Sequence, residues 1–160
     1  MPVLHSQSKA QNADAEGGKQ LPPRDALAQR GPVLQVEINL PESIAAELIK
    51  HGKTIQPPVA GLGLVDTGAI ATCVDEDAAK QLQLPVIDVV TMSSTSHASH
   101  PANVYPIRIT VAGLPMAITA QRAIGAALKA QGLVALLGRD VLSHCTFIYN
   151  GLVGEITLCI

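Results

Sequence analysis

An apolar run from Val59 to Val65 carries the chain straight into a tight acidic turn, Asp66-Thr67-Gly68. That arrangement places one carboxylate at the end of a buried strand. Partial loss of water there makes an acid chemically distinctive. Gly68 lacks a Cβ and lets another backbone approach the turn closely. The same tripeptide also serves as a plain hairpin turn, in which Asp66 merely accepts from backbone amides.

The rest of the pattern is that of a mostly β domain with short helices. Val33 to Leu40 alternates apolar and polar at the period of a half-buried strand, and Pro41 ends it. Ile44, Ala45, Leu48 and Ile49 recur at helical spacing, with Ser43 as a candidate cap and Gly52 as a stop. Ala69 to Val74 reads as a further strand, and Asp75 caps a helix running through Leu82. Val86 to Met92, Val104 to Val111, Met116 to Thr119 and Leu133 to Leu137 are strand candidates, and Gln121 to Gln131 is a candidate helix. The chain finishes on an apolar strand, Glu155 to Ile160.

Composition narrows the function classes. Only Tyr105, Phe147 and Tyr149 are aromatic, and the formal net charge is −2, so base stacking and phosphate-backbone binding are not expected. Residues 1–32 are rich in Gln, Ser, Asn, Gly and Pro and read as a flexible leader ahead of one domain, 33–160. No secretory signal or apolar run of membrane-spanning length is present, so the expected setting is the cytoplasm. Cys73, Cys145 and Cys159 form no C-x-x-C pair and read as core residues.

Other chemistries fit less well. His97 and His100 lie three apart without an acid or Cys beside them, which favours exposed loop histidines over a metal site. His144-Cys145, read as part of an apolar strand, would point to opposite faces and form no thiol–imidazole pair. Gly61-x-Gly63 lacks the third glycine of a dinucleotide fingerprint. No metal or organic cofactor is expected.

About seventy residues after the acidic turn, Ala135-Leu136-Leu137-Gly138-Arg139-Asp140 forms a second apolar strand ending in Gly. Together with Leu64-Val65-Asp66-Thr67-Gly68-Ala69 and the C-terminal strand, it resembles the retropepsins, the single-domain aspartic proteases of retroviruses and their cellular and bacterial relatives. The resemblance covers residues 33–160. It implies a mainly β acid-protease barrel with one or two short helices, active as a two-fold homodimer. It further implies an aspartic endopeptidase that binds extended polypeptide, with no nucleic-acid or membrane partner. The chain holds a single Asp-Thr-Gly, so two carboxylates require Asp66 from each of two chains.

By the same resemblance, Asp66 is the catalytic acid, and Thr67, Gly68 and Ala69 complete its loop. Gly138 lies beside that loop and Arg139 anchors a short helix. A flap spans about 90–105, with its tip near Ser96, His97 and Ala98. Ala69 lacks the hydroxyl that relatives with Ser supply, which implies a less acidic activity optimum. Ile70 stands where retroviral members usually carry an acid, so Arg139 needs another partner, Asp75 or Asp140. The C-terminal strand is expected to leave an open edge that a second subunit covers. The alternative is a catalytically silent dimer of this fold, serving as a peptide-binding or assembly module.

Overall fold

A computed structural model describes residues 2–8, 21–94, 97–115 and 117–159. The architecture is mainly β. Alternation drives the first barrel strand, β2 (Val33–Asn39), which buries Leu34, Val36 and Ile38 and turns Gln35 and Glu37 outward. It pairs antiparallel with β3 (Val59–Val65), which in turn runs parallel to β8 (Leu133–Leu137). Then follow β4 (Cys73–Asp75), β7 (Ala117–Ala126) and β6 (His97–Val111), and β6 returns to pair with β2. The sheet thereby closes into a barrel whose strands have no free edge within the ring. Outside the ring, β5 (Asp88–Ser94) pairs with the first half of β6 as a hairpin.

At fifteen residues, β6 belongs to both the hairpin and the barrel. Its register on β7 shifts between Tyr105 and Ile107, at Pro106. Proline has no N–H to donate, and a bulge is where a strand tolerates one.

Helices fill the corners. α2 (Glu42–Lys50) starts two residues earlier than a Ser43 cap would place it. The carbonyl of Pro41 accepts from Ile44 and Ala45, and the helix lays Ile44, Ala45 and Leu48 on the core. α3 (Glu76–Gln81) is capped by Asp75 as expected, and α4 (Arg139–Leu142) follows β8. The expected helix over 121–131 is instead the second half of β7 and a 3-10 turn at Lys129–Gln131. Its Ala-rich sequence favours helix locally, but Ala120 and Ala123 are buried in a strand flanked by β4 and β6, and tertiary packing overrides propensity.

Within the block 1–32, the described residues 2–8 and 21–32 depart most from expectation. β1 (Val3–Gln7) and α1 (Pro23–Arg30) both belong to the fold. Leu27 is wholly buried in the same core as Ile38, Ile107 and Leu137, so residue 32 marks no boundary of packing. The composition is poor in apolar residues, but Leu4, Ala26 and Leu27 are enough to dock two short elements.

The C-terminal strand also differs. β10 (Glu155–Cys159) lies between β1 and β9 (Thr146–Asn150) in a separate three-stranded sheet. Both of its edges are therefore paired within the chain, and the expected open edge is not on this strand. Gly154, at φ +73°, closes the turn before it. A Cβ there would stand 2.1 Å from the Pro23 carbonyl carbon, so only glycine lets α1 seat on the turn.

Candidate active site

Asp66 leaves β3 by donating its amide to the Leu137 carbonyl at 3.0 Å, the last rung of the parallel β3–β8 ladder. The chain then turns back on the Asp66 side chain. Oδ1 accepts from the Gly68 amide at 2.9 Å and from the Ala69 amide at 3.2 Å. Amide donors to a carboxylate are charge-assisted and hold it in one orientation. Asp66 is half-buried, and Thr67 and Gly68 are exposed, so the turn presents the carboxylate at the surface.

The turn is fastened from below by the segment after β8. A short helix begins with amides that lack intrahelical partners. Here Arg139 and Asp140 donate theirs to the carbonyls of Ala69 and Ile70, at 3.0 and 3.2 Å. Thr72, wholly buried, donates its amide to Asp140 Oδ2 at 3.0 Å and its hydroxyl to Asp140 Oδ1 at 2.7 Å. The same hydroxyl accepts the Gly138 amide at 3.1 Å. Gly138 passes so close that a Cβ would lie 2.5 Å from the Ala71 carbonyl carbon. Any larger residue would push the two segments apart.

Several neighbouring acids are fully engaged. Asp75 accepts from Asp77 and Ala78 at the start of α3 and, through its other oxygen, from the Leu128 and Lys129 amides, all between 2.9 and 3.2 Å. Asp140 also accepts from the Val141 amide at 2.9 Å. Neither bonds the Arg139 side chain, which among the described residues has no ion-pair partner. The expected pairing is therefore absent, because both carboxylates serve backbone amides and Thr72. Glu76, at the start of α3, accepts from the Tyr105 hydroxyl at 3.0 Å.

Sequence reasoning passed over Thr72, which is the hub of this fastening. Its only advance signal is its place between the acidic turn and Cys73 in an apolar stretch. Cys73 lies beneath the turn. Burial first, then the negative charges of Asp140 and Asp66, push its thiol up to about 11, so it is no nucleophile at neutral pH. His144 and Cys145 lie in the turn after α4 rather than in a strand, His144 exposed and Cys145 half-buried.

The segment expected to form a flap falls on the β5–β6 hairpin. Ser96 lies outside the described residues, and His97 and Ala98 are the first residues of β6. The base of the hairpin is tied down twice. Arg122 on β7 pairs with Asp88, and Asn103 donates to the Tyr105 hydroxyl at 3.1 Å. The latter links β6 through Tyr105 to Glu76 on α3.

A groove of about 370 Å³ is lined by Pro41, Glu42, Arg108 and Thr119, and another of about 470 Å³ by His5, Ser8, Val33 and Leu62. Neither lining includes the 66–69 turn, which is a surface feature of the single chain. No helix among the described residues is long and apolar enough to cross a membrane.

No protein-family model and no curated protein matches the chain. Solved structures do match, among them these two. A retropepsin-like aspartic protease from Rickettsia conorii aligns over 98% of this chain and 90% of its own, at 13% identity and a TM-score of 0.48. The retroviral protease-like domain of a Leishmania major protein aligns over 74% of this chain and 81% of its own, at 15% identity and a TM-score of 0.39.

Proposed function

We propose that this chain is an aspartic endopeptidase whose active site is assembled from Asp66 of two copies. The observation that carries the reading is the unequal use of the carboxylates around the turn. Asp75 and Asp140 spend both oxygens on buried donors, whereas Asp66 has Oδ1 fixed by two amides on an exposed turn, with no hydrogen bond at Oδ2 among the described residues. Peptide hydrolysis by carboxylates needs one base to draw a proton from water and one acid to give a proton to the scissile amide. One exposed carboxylate cannot do both at once. A second Asp66 across a two-fold axis supplies the missing group, and two such acids at close range share a single proton.

In that arrangement the ionised Asp66 takes a proton from the bridging water as its oxygen attacks the carbonyl carbon. The protonated Asp66 hydrogen-bonds the carbonyl oxygen. Collapse of the tetrahedral adduct breaks the C–N bond, and a carboxyl proton goes to the leaving nitrogen. Extended peptide lies between the paired turns and the β5–β6 hairpins, making main-chain hydrogen bonds as an added strand does.

The test compares cleavage of an unfolded protein substrate by the wild type and by Asp66→Asn. The substitution is expected to lower the rate on the order of 10²–10⁴-fold. Equal cleavage by both overturns the mechanism. Binding without cleavage by either favours the silent peptide-binding dimer.

A further inference from the structure

Asn150 ends β9, and of the asparagines in the chain it alone stands before a glycine. It is exposed, and among the described residues no hydrogen bond holds its side chain. Asn39 and Asn103 differ on every count. Both are half-buried, Asn39 accepts from the Leu40 amide at 2.9 Å, and Asn103 donates to the Tyr105 hydroxyl at 3.1 Å. The Gly151 amide has no acceptor among the described residues. Glycine has no side chain to crowd its own nitrogen and the widest choice of backbone angles, so that nitrogen is free to approach the Asn150 carboxamide.

The turn between β9 and β10 is also a junction. The Gly154 amide donates to the Asn150 carbonyl at 3.0 Å, and the Gly154 carbonyl accepts from Ser8 at 2.9 Å, just past β1. Gly154 is the residue on which α1 seats. Across the hairpin Asn150 pairs with Glu155, and both are exposed.

We infer that Asn150 is a site of spontaneous deamidation, and that the product loosens the junction of β1, α1 and the β9–β10 hairpin. The Gly151 nitrogen gives up its proton to solvent base and attacks Cγ of Asn150. A C–N bond forms, the bond to the side-chain nitrogen breaks, and that nitrogen takes a proton from water and leaves as ammonia. Water then opens the cyclic imide at one carbonyl or the other, giving aspartate or isoaspartate. Nothing is oxidised or reduced, and water is the co-reactant. Closure swings the Asn150–Gly151 peptide and breaks the Gly154–Asn150 hydrogen bond, a local opening at an exposed turn. Either product sets a second carboxylate directly opposite Glu155, and like charges in register weaken a strand pair. Isoaspartate also lengthens the backbone in the turn that carries Gly154.

The test is peptide mapping by mass spectrometry of the folded full chain held at mildly alkaline pH. The peptide containing 150–151 is expected to gain the deamidation mass and split into two chromatographic forms, faster as pH rises, while those containing Asn39 and Asn103 stay intact. Gly151→Ala is expected to slow the conversion; its Cβ would stand 3.1 Å from the exposed ring of Tyr149, which has room to move. Conversion seen only in urea, equal conversion at Asn39 or Asn103, or an undiminished rate in Gly151→Ala overturns the site. For the consequence, Asn150→Asp is expected to lower the thermal midpoint at neutral pH by about 1–3 °C. The same change made in Glu155→Gln is expected to cost less. A midpoint equal to the wild type, or a loss that Glu155→Gln leaves undiminished, overturns the consequence. None of these readouts depends on peptide cleavage.

Discussion

The Thr72 hydroxyl donates to Asp140 at 2.7 Å while accepting the amide of Gly138, so one buried side chain joins the segment after Asp66 to the segment after β8. Replacing it with Val keeps the shape and removes both hydrogen bonds. The Gly138 amide, satisfied in the interior, then lacks a partner, and Asp140 Oδ1 keeps only the Val141 amide. Leaving such a group unpaired costs about 1–3 kcal/mol. Thr72→Val is expected to lower the denaturant midpoint without changing the slope, and to lower peptide cleavage more than the population of folded protein explains. Thr72→Ser, which keeps the hydroxyl, is expected to retain most of both.

Docking of the N-terminal elements yields a second expectation. Leu27 is wholly buried, and α1 packs under the turn at Gly154. Leu27→Ala is expected to destabilise the protein by about 2–5 kcal/mol, the range for a large-to-small change in a packed core. Deletion of residues 1–32 is expected to do at least as much, since β10 also loses its partner β1. Unchanged thermal stability after the deletion would show that these elements contribute nothing.

Where the chain signals structure through periodicity or local chemistry, the sequence is a good guide. β2 and β3 follow from alternation and from an uninterrupted apolar run, and α3 from an Asp with acids behind it. Asp66, Gly138 and Arg139 stand out because their motifs are local. What the sequence hides is decided by distant partners. The β7 stretch is helix-like in composition and becomes a strand because β4 and β6 flank it. The Thr72–Asp140 pair spans 68 positions, and neither residue type is unusual where it stands. The edge that is free in the C-terminal sheet depends on β1, whose five residues carry too weak a pattern to announce a strand.

Cys73 reports on the charge above it. Its thiol ionises only near 11, because burial and the charges of Asp140 and Asp66 all disfavour the thiolate. At pH 8 the thiolate fraction is about a hundredfold below that of a thiol at the ordinary value of 9.0. Native Cys73 is expected to resist iodoacetamide until the protein unfolds. Asp66→Asn removes one of the opposing charges and is expected to speed its alkylation modestly. Because the folded value is the higher one, the stability contribution is full below pH 9, where the unfolded thiol is neutral. It falls as pH rises toward 11. Rapid labelling of Cys73 in the folded protein at neutral pH would contradict this placement.

The Asp88–Arg122 pair makes the hairpin base sensitive to acid. The Arg122 hydrogen bond, and then the Val89 amide, hold the Asp88 carboxyl below the usual aspartate range. The folded value is the lower one, so the contribution is present above the ordinary range and is lost as pH falls through the lowered value. Both side chains are well exposed, so salt is expected to weaken the effect. Arg122→Gln is expected to raise the Asp88 midpoint in a carbon-13 titration. The same substitution is expected to speed amide exchange at the paired residues Val89 and Asn103, because it removes a tie between the barrel and the hairpin. A midpoint that stays put in Arg122→Gln would assign the shift to the Val89 amide alone. Exchange that also stays put would mean that the hairpin base is held by Asn103, Tyr105 and Glu76 without help from the ion pair.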